Sequence, residues 1–283
     1  DGTPGEPDDA YSASITLHAP DLIVTEVVAP ATALLAGTLS VSWTTVNQGD
    51  APAVGGDGGE GAGWDDVAYI SDDAVLDGGD RFIGSFWAGA HAPLAPGGSY
   101  TETTDFSIPY DLAPGPRFLI IAADGLQNLL ESDDANNYRA VPIELAVPDV
   151  NLQVTDATAP ATGVLGATVD VTWTVTNLGG APVNSFGWYD TLYLSDDMVV
   201  DQGVDQQLGD FFFSPPLDAG ASYAGMGTVS IPTNAGAGNR FLLVVTDNYG
   251  YQPETVETDN VRAVAITITG PDIDLVVTAT TAP

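Results

Sequence analysis

Short stretches in which hydrophobic and polar residues alternate recur along this chain. In Leu39–Thr44, and again in Val169–Thr174, every second residue is apolar. That period of two is typical of a β-strand with one buried face. Clusters of Gly, Pro, Asn and Asp separate the stretches, and no 3.6-residue period appears between them. The pattern therefore predicts an all-β chain.

The strands that this pattern predicts are short and evenly spaced. In the first part of the chain they lie at roughly 21–28, 38–46, 64–71, 81–87, 99–108, 117–123 and 138–146. About seven short strands joined by turns are typical of an immunoglobulin-like or fibronectin-like β-sandwich. Tryptophans on the second strand (Trp43, Trp173) and at the third (Trp64, Trp188) suit the core between two sheets.

The whole pattern then repeats. Pro-Asp starts occur at Pro20, Pro148 and Pro271, with offsets of 148 − 20 = 128 and 271 − 148 = 123. We therefore predict two tandem β-sandwiches, residues 20–147 (module 1) and 148–270 (module 2). Residues 1–19 are predicted to be the last strand of a preceding module, and residues 271–283 the first strand of a following one. The joint at 146–147 is so short that a semi-rigid rod is expected.

Charge narrows the range of partners. The chain has 39 acidic residues against five basic ones, a net charge of −34, and no cysteine. Nucleic acid and anionic membrane surfaces are disfavoured, because little positive charge is available to neutralise phosphate. No apolar run approaches the ~20 residues needed to span a bilayer, so membrane insertion is not expected. Divalent cations or a saline medium suit this excess of negative charge better.

Two groups of acidic residues recur in both copies. The first group contains Asp66, Asp72, Asp73, Asp77 and Asp80, matched by Asp190, Asp196, Asp197, Asp201 and Asp205. The second contains Glu131, Asp133, Asp134, Asn136 and Asn137, matched by Glu254, Glu257, Asp259 and Asn260. Calcium takes about six to eight oxygen ligands, which such groups supply. An equally open alternative is that these residues are solvated turn formers.

From these groups we select fourteen candidate calcium ligands. They are Asp66, Asp72, Asp77, Asp80, Glu131, Asp134 and Asn137 in module 1, and Asp190, Asp196, Asp201, Asp205, Glu254, Glu257 and Asn260 in module 2. In an immunoglobulin-like strand order, Asp66 and the 131–137 loop would lie at the end where the chain enters the module. The 72–80 loop would lie at the opposite end.

Catalytic chemistry has little support. The only histidines, His18 and His91, are far apart in sequence and unpaired, and no cluster has the composition of a zinc site. Ser71 precedes Asp72, but no histidine base accompanies them. We therefore expect no enzymatic activity and no catalytic residues.

Several motifs, in this order, resemble one known family. They are the Pro20-Asp21-Leu22 start, the stretch from Trp43 to Gly49, the strand end from Tyr69 to Asp73, the turn from Leu94 to Tyr100, and the ending from Glu131 to Asn137. Together they resemble the cell-adhesion-related domain found in bacteria. Module 2 departs slightly, with Asp259-Asn260 where module 1 has Asn136-Asn137. The resemblance implies a β-sandwich repeat of secreted or surface proteins and implies no reaction.

The expected function is structural and adhesive. The modules would be repeats of an extracellular bacterial surface protein or filament, forming a semi-rigid rod stiffened by calcium. Their partners would be further copies of the module, in the same chain or through end-to-end strand exchange. The alternative is a module that binds a glycan or a protein and is attached to a secreted protein or enzyme. It would use the glycine-rich loop 55–63 or the exposed aromatics Phe211–Phe213.

Overall fold

The computed structural model describes residues 16–55, 63–183, 186–214, 216–273 and 276–280. Over these residues the chain divides into two compact units. They hold 16 strands in four sheets, and the one helical element described is a single 3₁₀ turn at Gly89–His91. The all-β fold class predicted from the alternating pattern is confirmed.

Each module contains eight strands. Those of module 1 are β1 Leu22–Val28, β2 Thr32–Leu34, β3 Thr38–Asn47, β4 Asp65–Ser71, β5 Arg81–Trp87, β6 Ser99–Ser107, β7 Gly115–Ala122 and β8 Tyr138–Ala146. Those of module 2 are β9 Leu152–Thr158, β10 Thr162–Val164, β11 Thr168–Asn177, β12 Trp188–Ser195, β13 Gln206–Phe213, β14 Ser222–Ser230, β15 Gly238–Val245 and β16 Val261–Thr269. The seven strands predicted for module 1 are present, with ends that agree to within two residues.

The strands of each module form a two-sheet sandwich. In module 1 a three-stranded sheet has the order β1-β3-β6, and a five-stranded sheet has the order β2-β8-β7-β4-β5. Module 2 repeats this arrangement as β9-β11-β14 and β10-β16-β15-β12-β13. Buried Trp43 and Trp64, with Trp173 and Trp188 in the second copy, belong to the hydrophobic cores, as their positions predict.

The sequence-based prediction missed strand β2 and its counterpart β10. Strand β2 runs parallel to β8, with Thr32 opposite Glu144 and Leu34 opposite Ala146. Strand β10 pairs with β16 in the same way. Three residues are too few to show an alternating pattern. Strand β2 forms only because the chain leaves the sheet of β1 and reaches the last strand of the other sheet.

A buried asparagine explains why the same turn follows β3 and β11. Asn47 Oδ1 accepts hydrogen bonds from the backbone N–H groups of Asp21 (3.1 Å) and Gly49 (3.0 Å). Gly49 lies so close to the chain at the start of the module that a Cβ would stand 2.5 Å from the carbonyl oxygen of Ala19. The start of module 1 and the Asn-x-Gly turn are therefore two halves of one contact. In module 2, Asn177 Oδ1 accepts the corresponding bonds from the N–H groups of Gly179 and of Asn151, two residues after Asp149.

The two predicted part-strands at the ends lie partly outside the described residues. Residues 1–15, 274–275 and 281–283 are not described, nor are residues 56–62 of the glycine-rich loop. Residues 16–19, 271–273 and 276–280 form no strand. Each predicted end strand would pair with the other strands of a neighbouring module, which lie outside this sequence. The flanking modules and the module limits therefore stay predictions.

Candidate functional site

A carboxylate is buried between the two sheets of module 1. Asp66 on β4 is 1% exposed, and its Oδ2 accepts hydrogen bonds from Trp43 Nε1 and Tyr100 Oη, both at 2.7 Å. Trp64 Nε1 donates to the same hydroxyl at 3.0 Å. Because Trp43 and Tyr100 belong to the three-stranded sheet and Asp66 to the other, this polar network joins the two sheets.

Module 2 contains the same network. Asp190 on β12 accepts hydrogen bonds at Oδ2 from Trp173 Nε1 (2.6 Å) and Tyr223 Oη (2.7 Å). Trp188 Nε1 donates to the Tyr223 hydroxyl at 3.0 Å. Its presence in both copies, at the same positions in the strand order, indicates that it is part of the module's architecture.

Burial sets the protonation of these carboxyl groups. Desolvation raises the pKa of Asp66 to about 6, against the opposing effect of the bonds from Tyr100 and Trp43. Desolvation likewise raises the pKa of Asp190. A buried carboxylate loses its hydration, which favours the neutral form. The Asp66 network is therefore sensitive to pH near 6.

A second carboxylate ties the start of module 1 to the loop before its last strand. Glu131 accepts hydrogen bonds from the backbone N–H of Leu22, the first residue of β1, and from Asn137 Nδ2 (2.8 Å). Burial is the main cause that raises the pKa of Glu131 to about 7. The negative charges of Asp124 and Asp134 contribute a smaller part of this rise.

Module 2 has the same pair of hydrogen bonds on a buried glutamate, one from the first strand and one from an asparagine side chain, which we call the glutamate fastening. Glu254 accepts hydrogen bonds from the backbone N–H of Leu152, the first residue of β9, and from Asn260 Nδ2 at 3.0 Å. The backbone N–H of Glu254 donates to Glu257 Oε1 at 3.0 Å. Burial raises the pKa of Glu254 to about 8, and the charges of Glu257 and Asp247 add to the shift. The glutamate and asparagine of the family ending thus hold the first strand in place.

Two amide oxygens beside these glutamates lack a partner. Asn137 and Asn260 are 7% and 5% exposed, and neither Oδ1 accepts a hydrogen bond within the described part of the chain. An unpaired buried oxygen is costly, and a water or a cation would satisfy it. However, no three His, Cys, Asp or Glu side chains among the described residues are grouped closely enough to hold a metal ion.

The 72–80 loop of module 1 uses its acidic side chains for its own turns. Asp73 Oδ1 and Asp77 Oδ1 each accept a hydrogen bond from the backbone N–H two residues later, at 2.8 and 2.7 Å. Asp80 Oδ2 accepts one from the N–H of Asp77 at 2.8 Å. Arg117 Nε lies 3.1 Å from Asp72 Oδ1. The bonds from the backbone N–H groups are the local ones that make Asp a turn former.

Module 2 forms its loop in the same manner. Asp197 Oδ1 and Asp201 Oδ1 accept hydrogen bonds from backbone N–H groups two residues later, at 2.8 and 3.0 Å. Asp205 Oδ2 accepts one from the N–H of Asp201 at 2.7 Å, and Arg240 Nε lies 2.8 Å from Asp196 Oδ1. The turn chemistry weighed in the sequence analysis is thus observed in both copies.

The structure divides the first acidic group of the sequence analysis. Asp66 and Asp190 belong to the core networks, whereas the acids of the 72–80 and 196–205 loops follow the far ends of β4 and β12. The second group stays together: Glu131 contacts Asn137, and Glu254 contacts both Glu257 and Asn260. Asp134 acts on Glu131 through its charge. Calcium binding by any of them stays a prediction.

The sequence analysis missed two buried aspartates. Asp124 and Asp247 have left-handed backbones, with φ of 47° and 44°. Each accepts two backbone N–H bonds from the following loop, and burial raises both pKa values, that of Asp247 to about 7. The available signal was their equal distance from Arg117 and Arg240, 124 − 117 = 247 − 240 = 7.

Both histidines have carboxylate partners, which corrects the expectation that they are unpaired. His18 Nδ1 lies 2.6 Å from Asp50 Oδ2, and His91 Nε2 lies 2.6 Å from Glu102 Oε1. These partners come from other segments, so sequence distance did not reveal them.

The Ser71 hydroxyl accepts a hydrogen bond from the N–H of Asp73. The expectation of no enzymatic activity stays a prediction.

Comparison with known proteins locates one family. A family model for the CARDB domain matches residues 148–264. A CARDB domain from Pyrococcus furiosus, whose crystal structure is in complex with di-metal ions, is 16% identical with a TM-score of 0.33, covering 44% of this chain and 96% of its own. A Listeria innocua beta-glucosidase in complex with glucose is 13% identical with a TM-score of 0.30, covering 52% of this chain and 20% of its own. No curated protein matches this chain.

Domains of this family are associated with surface or extracellular proteins. Within the part of the chain that the structure describes, no helix has the length and apolar character to cross a bilayer. The family match, the sandwich fold and the order of the motifs agree. Residues 148–264 are a CARDB domain, a cell-adhesion-related module of bacteria and archaea.

Proposed function

We propose that these modules are structural, adhesive repeats of an extracellular surface protein, each suited to bear tension along the chain. The observation that carries this proposal is the parallel pairing of β2 with β8 and of β10 with β16. When the two ends of a module are pulled apart, parallel strands near those ends slide past each other. Their hydrogen bonds are then loaded together rather than opened one after another.

The glutamate fastenings support the same function. Glu131 holds the first residue of β1, and Glu254 holds the first residue of β9. Each joins the point where the chain enters the module to the loop that precedes the last strand. A pull on the entering chain must break this bond before it reaches the rest of the sheet. The partners that we propose are further copies of the module, in the same chain or by strand exchange.

Single-molecule pulling on the full chain tests the tension-bearing role. The backbone N–H of Leu165 donates to the carbonyl of Thr269 at 3.0 Å, at the end of the β10–β16 pair. Leu165→Pro removes this donor, so one of the two unfolding peaks should fall in force. The matched control Leu165→Ala loses the side chain and keeps the donor. Equal forces for the two variants would contradict shear loading of this pair.

We further propose that calcium stiffens the modules at the glutamate fastenings. Support comes from the unpartnered Oδ1 atoms of Asn137 and Asn260. Further support comes from the neighbouring negative charges, which add to the effect of burial in raising the pKa values of Glu131 and Glu254. A cation would satisfy the amide oxygens and offset the crowding of negative charge. Such a site would rely largely on amide and backbone oxygens.

Calorimetric titration of calcium, with melting curves in calcium and in chelator, tests this proposal. We expect a heat of binding and a higher melting temperature in calcium. Glu254→Gln should weaken binding in module 2, whereas Asp201→Asn, in the opposite loop, should leave it unchanged. No heat together with an unchanged melting temperature would rule out calcium. Loss of binding in Asp201→Asn alone would move the site to the loop.

A further inference from the structure

The outer face of the five-stranded sheet in module 2 carries a cluster of aromatic rings. Trp188 and Asp190 point into the core, so Tyr189 between them points outward. Its ring centroid lies 5.2 Å from that of Phe212 on β13 and 5.8 Å from that of Tyr249 in the loop after β15. Phe212 is 61% exposed and Tyr249 is 45% exposed. We call Tyr189, Phe212 and Tyr249 the aromatic face.

Polar groups border the aromatic face in fixed positions. Asp210 Oδ1 accepts a hydrogen bond from Thr191 Oγ1 at 2.6 Å. Asp210 Oδ2 accepts one from Gln207 Nε2 at 2.8 Å and one from Tyr249 Oη at 3.0 Å. Three neutral donors thus hold this exposed carboxylate in one orientation, and Oδ1 keeps a free lone pair. Its effect is to aim the Tyr249 hydroxyl and the Gln207 amide beside the exposed rings.

Module 1 has the same strands and lacks this arrangement. Asp65 faces Trp87 across β4 and β5, where module 2 has Tyr189 facing Phe212. Val67 faces Ser85, where module 2 has Thr191 facing Asp210. Leu126, two residues after Asp124, takes the place of Tyr249, two residues after Asp247.

The difference between the two modules shows that the ring cluster is not needed for folding. Module 1 forms the same sandwich without the ring cluster, so the fold does not require it. Apolar ring area left in water is unfavourable by about 25 cal/mol per Å². Clustered exposed apolar groups with a polar border are typical of binding surfaces.

We propose that the aromatic face of module 2 binds a neutral glycan chain. A sugar ring presents flat C–H surfaces, which pack on the negative faces of aromatic rings. Its hydroxyl groups pair with planar amide, hydroxyl and carboxylate groups at the border, here those of Gln207, Tyr249 and Asp210. The rings lie on an open sheet face, which accommodates an extended polymer. This site stands independently of the tension-bearing role.

The charge of the chain and the bonding of Asp210 indicate which class of ligand the aromatic face would bind. A net charge of −34 disfavours acidic polysaccharides. A basic peptide would seek a free carboxylate, but both oxygens of Asp210 already accept hydrogen bonds from Thr191, Gln207 and Tyr249. A neutral chain with many hydroxyls needs no displacement of these donors. The observations therefore favour a neutral glycan over a basic polypeptide.

Affinity electrophoresis of the full chain tests the proposal. Native gels would contain laminarin, xylan, galactomannan or hydroxyethyl cellulose, and at least one should retard the protein. Phe212→Ala and Tyr249→Ala should each raise Kd by roughly tenfold, the loss of one ring contact. Gln207→Ala, which leaves every ring in place, should weaken binding as well. The matched controls are Trp87→Ala and Leu126→Ala at the equivalent places in module 1, which should bind as the unaltered chain does.

Three outcomes would overturn the proposal. The first is that none of the four polysaccharides retards the protein. The second is that Trp87→Ala or Leu126→Ala weakens retardation as much as the module 2 variants do. The third is that poly-lysine binding, and no glycan binding, is lost in Phe212→Ala, which would identify a basic partner. Melting curves of each variant establish that it is folded, which the exposure of Phe212 and Tyr249 leads us to expect.

Discussion

Replacing Asp190 by Ala should lower the free energy of unfolding of module 2 by about 4 kcal/mol. The change removes the acceptor of the buried Trp173 Nε1 and of the partly buried Tyr223 Oη. Each orphaned donor costs about 1–3 kcal/mol, and the cavity adds to that loss. Because the network joins both sheets, the cost falls on the whole module rather than on one strand.

Urea denaturation of the full chain, followed by tryptophan fluorescence, measures this effect. Module 1 retains its own network through Asp66, so its transition is the internal reference. Asp190→Asn is the conservative control: it keeps an acceptor oxygen, loses the charge that burial disfavours, and should cost about 1 kcal/mol. A loss below about 1 kcal/mol for Asp190→Ala would show that the buried carboxylate does not stabilise the fold.

Acidification from pH 8 to pH 5 should raise the melting temperature of the modules by roughly 10 °C. The relevant carboxyl groups have raised pKa values, with Glu254 at about 8, Glu131 and Asp247 at about 7, and Asp66 at about 6. Burial is the largest cause in each. In the unfolded chain the same groups have pKa values of about 4.

The direction of the effect follows from proton binding. In this pH range the folded state binds more protons than the unfolded state, so protonation favours folding. The stabilisation is complete below the unfolded pKa values and is lost as the pH rises through the folded ones, from about 6 to about 8. Protonation also relieves repulsion within a chain of net charge −34, which acts in the same direction.

Scanning calorimetry in chelator-containing buffers at pH 5, 6, 7 and 8 checks this prediction. Glu254→Gln should flatten the pH dependence of module 2 and raise its stability at pH 8, because the buried charge is gone. Asp218→Asn removes one charge from the exposed surface of the same module and should leave the slope unchanged. A melting temperature that falls on acidification, or equal slopes for the two variants, would contradict the role of the buried glutamate.

Much of the fold could be predicted because its signals are local. Alternation in Leu39–Thr44 reports that one side of a strand is buried, whichever strand lies beside it. Turn residues mark where strands end, and the repeated Pro-Asp starts mark where the module is used again. The core positions of Trp43 and Trp173 follow from the same period.

Contacts between distant segments could not be predicted in this way. Glu131 and Leu22 are 109 residues apart, and Glu254 and Leu152 are 102 apart. The identity of an aspartate in the sequence does not show whether it lies in the core, as Asp66 does, or in a surface turn. Which environment it meets depends on the strands that pack around it.

The amino-acid sequence by itself determined the all-β class, the tandem modules, most strand positions and the excess of negative charge. Only the tertiary structure decided that β2 crosses to pair with β8, and that Asp66 is buried between the sheets with Trp43 and Tyr100 as its hydrogen-bond donors. It also decided that Tyr189, Phe212 and Tyr249 share one face. The physical reason is that hydrophobic periodicity depends on the neighbours along the chain, whereas a site depends on which strands become neighbours in space.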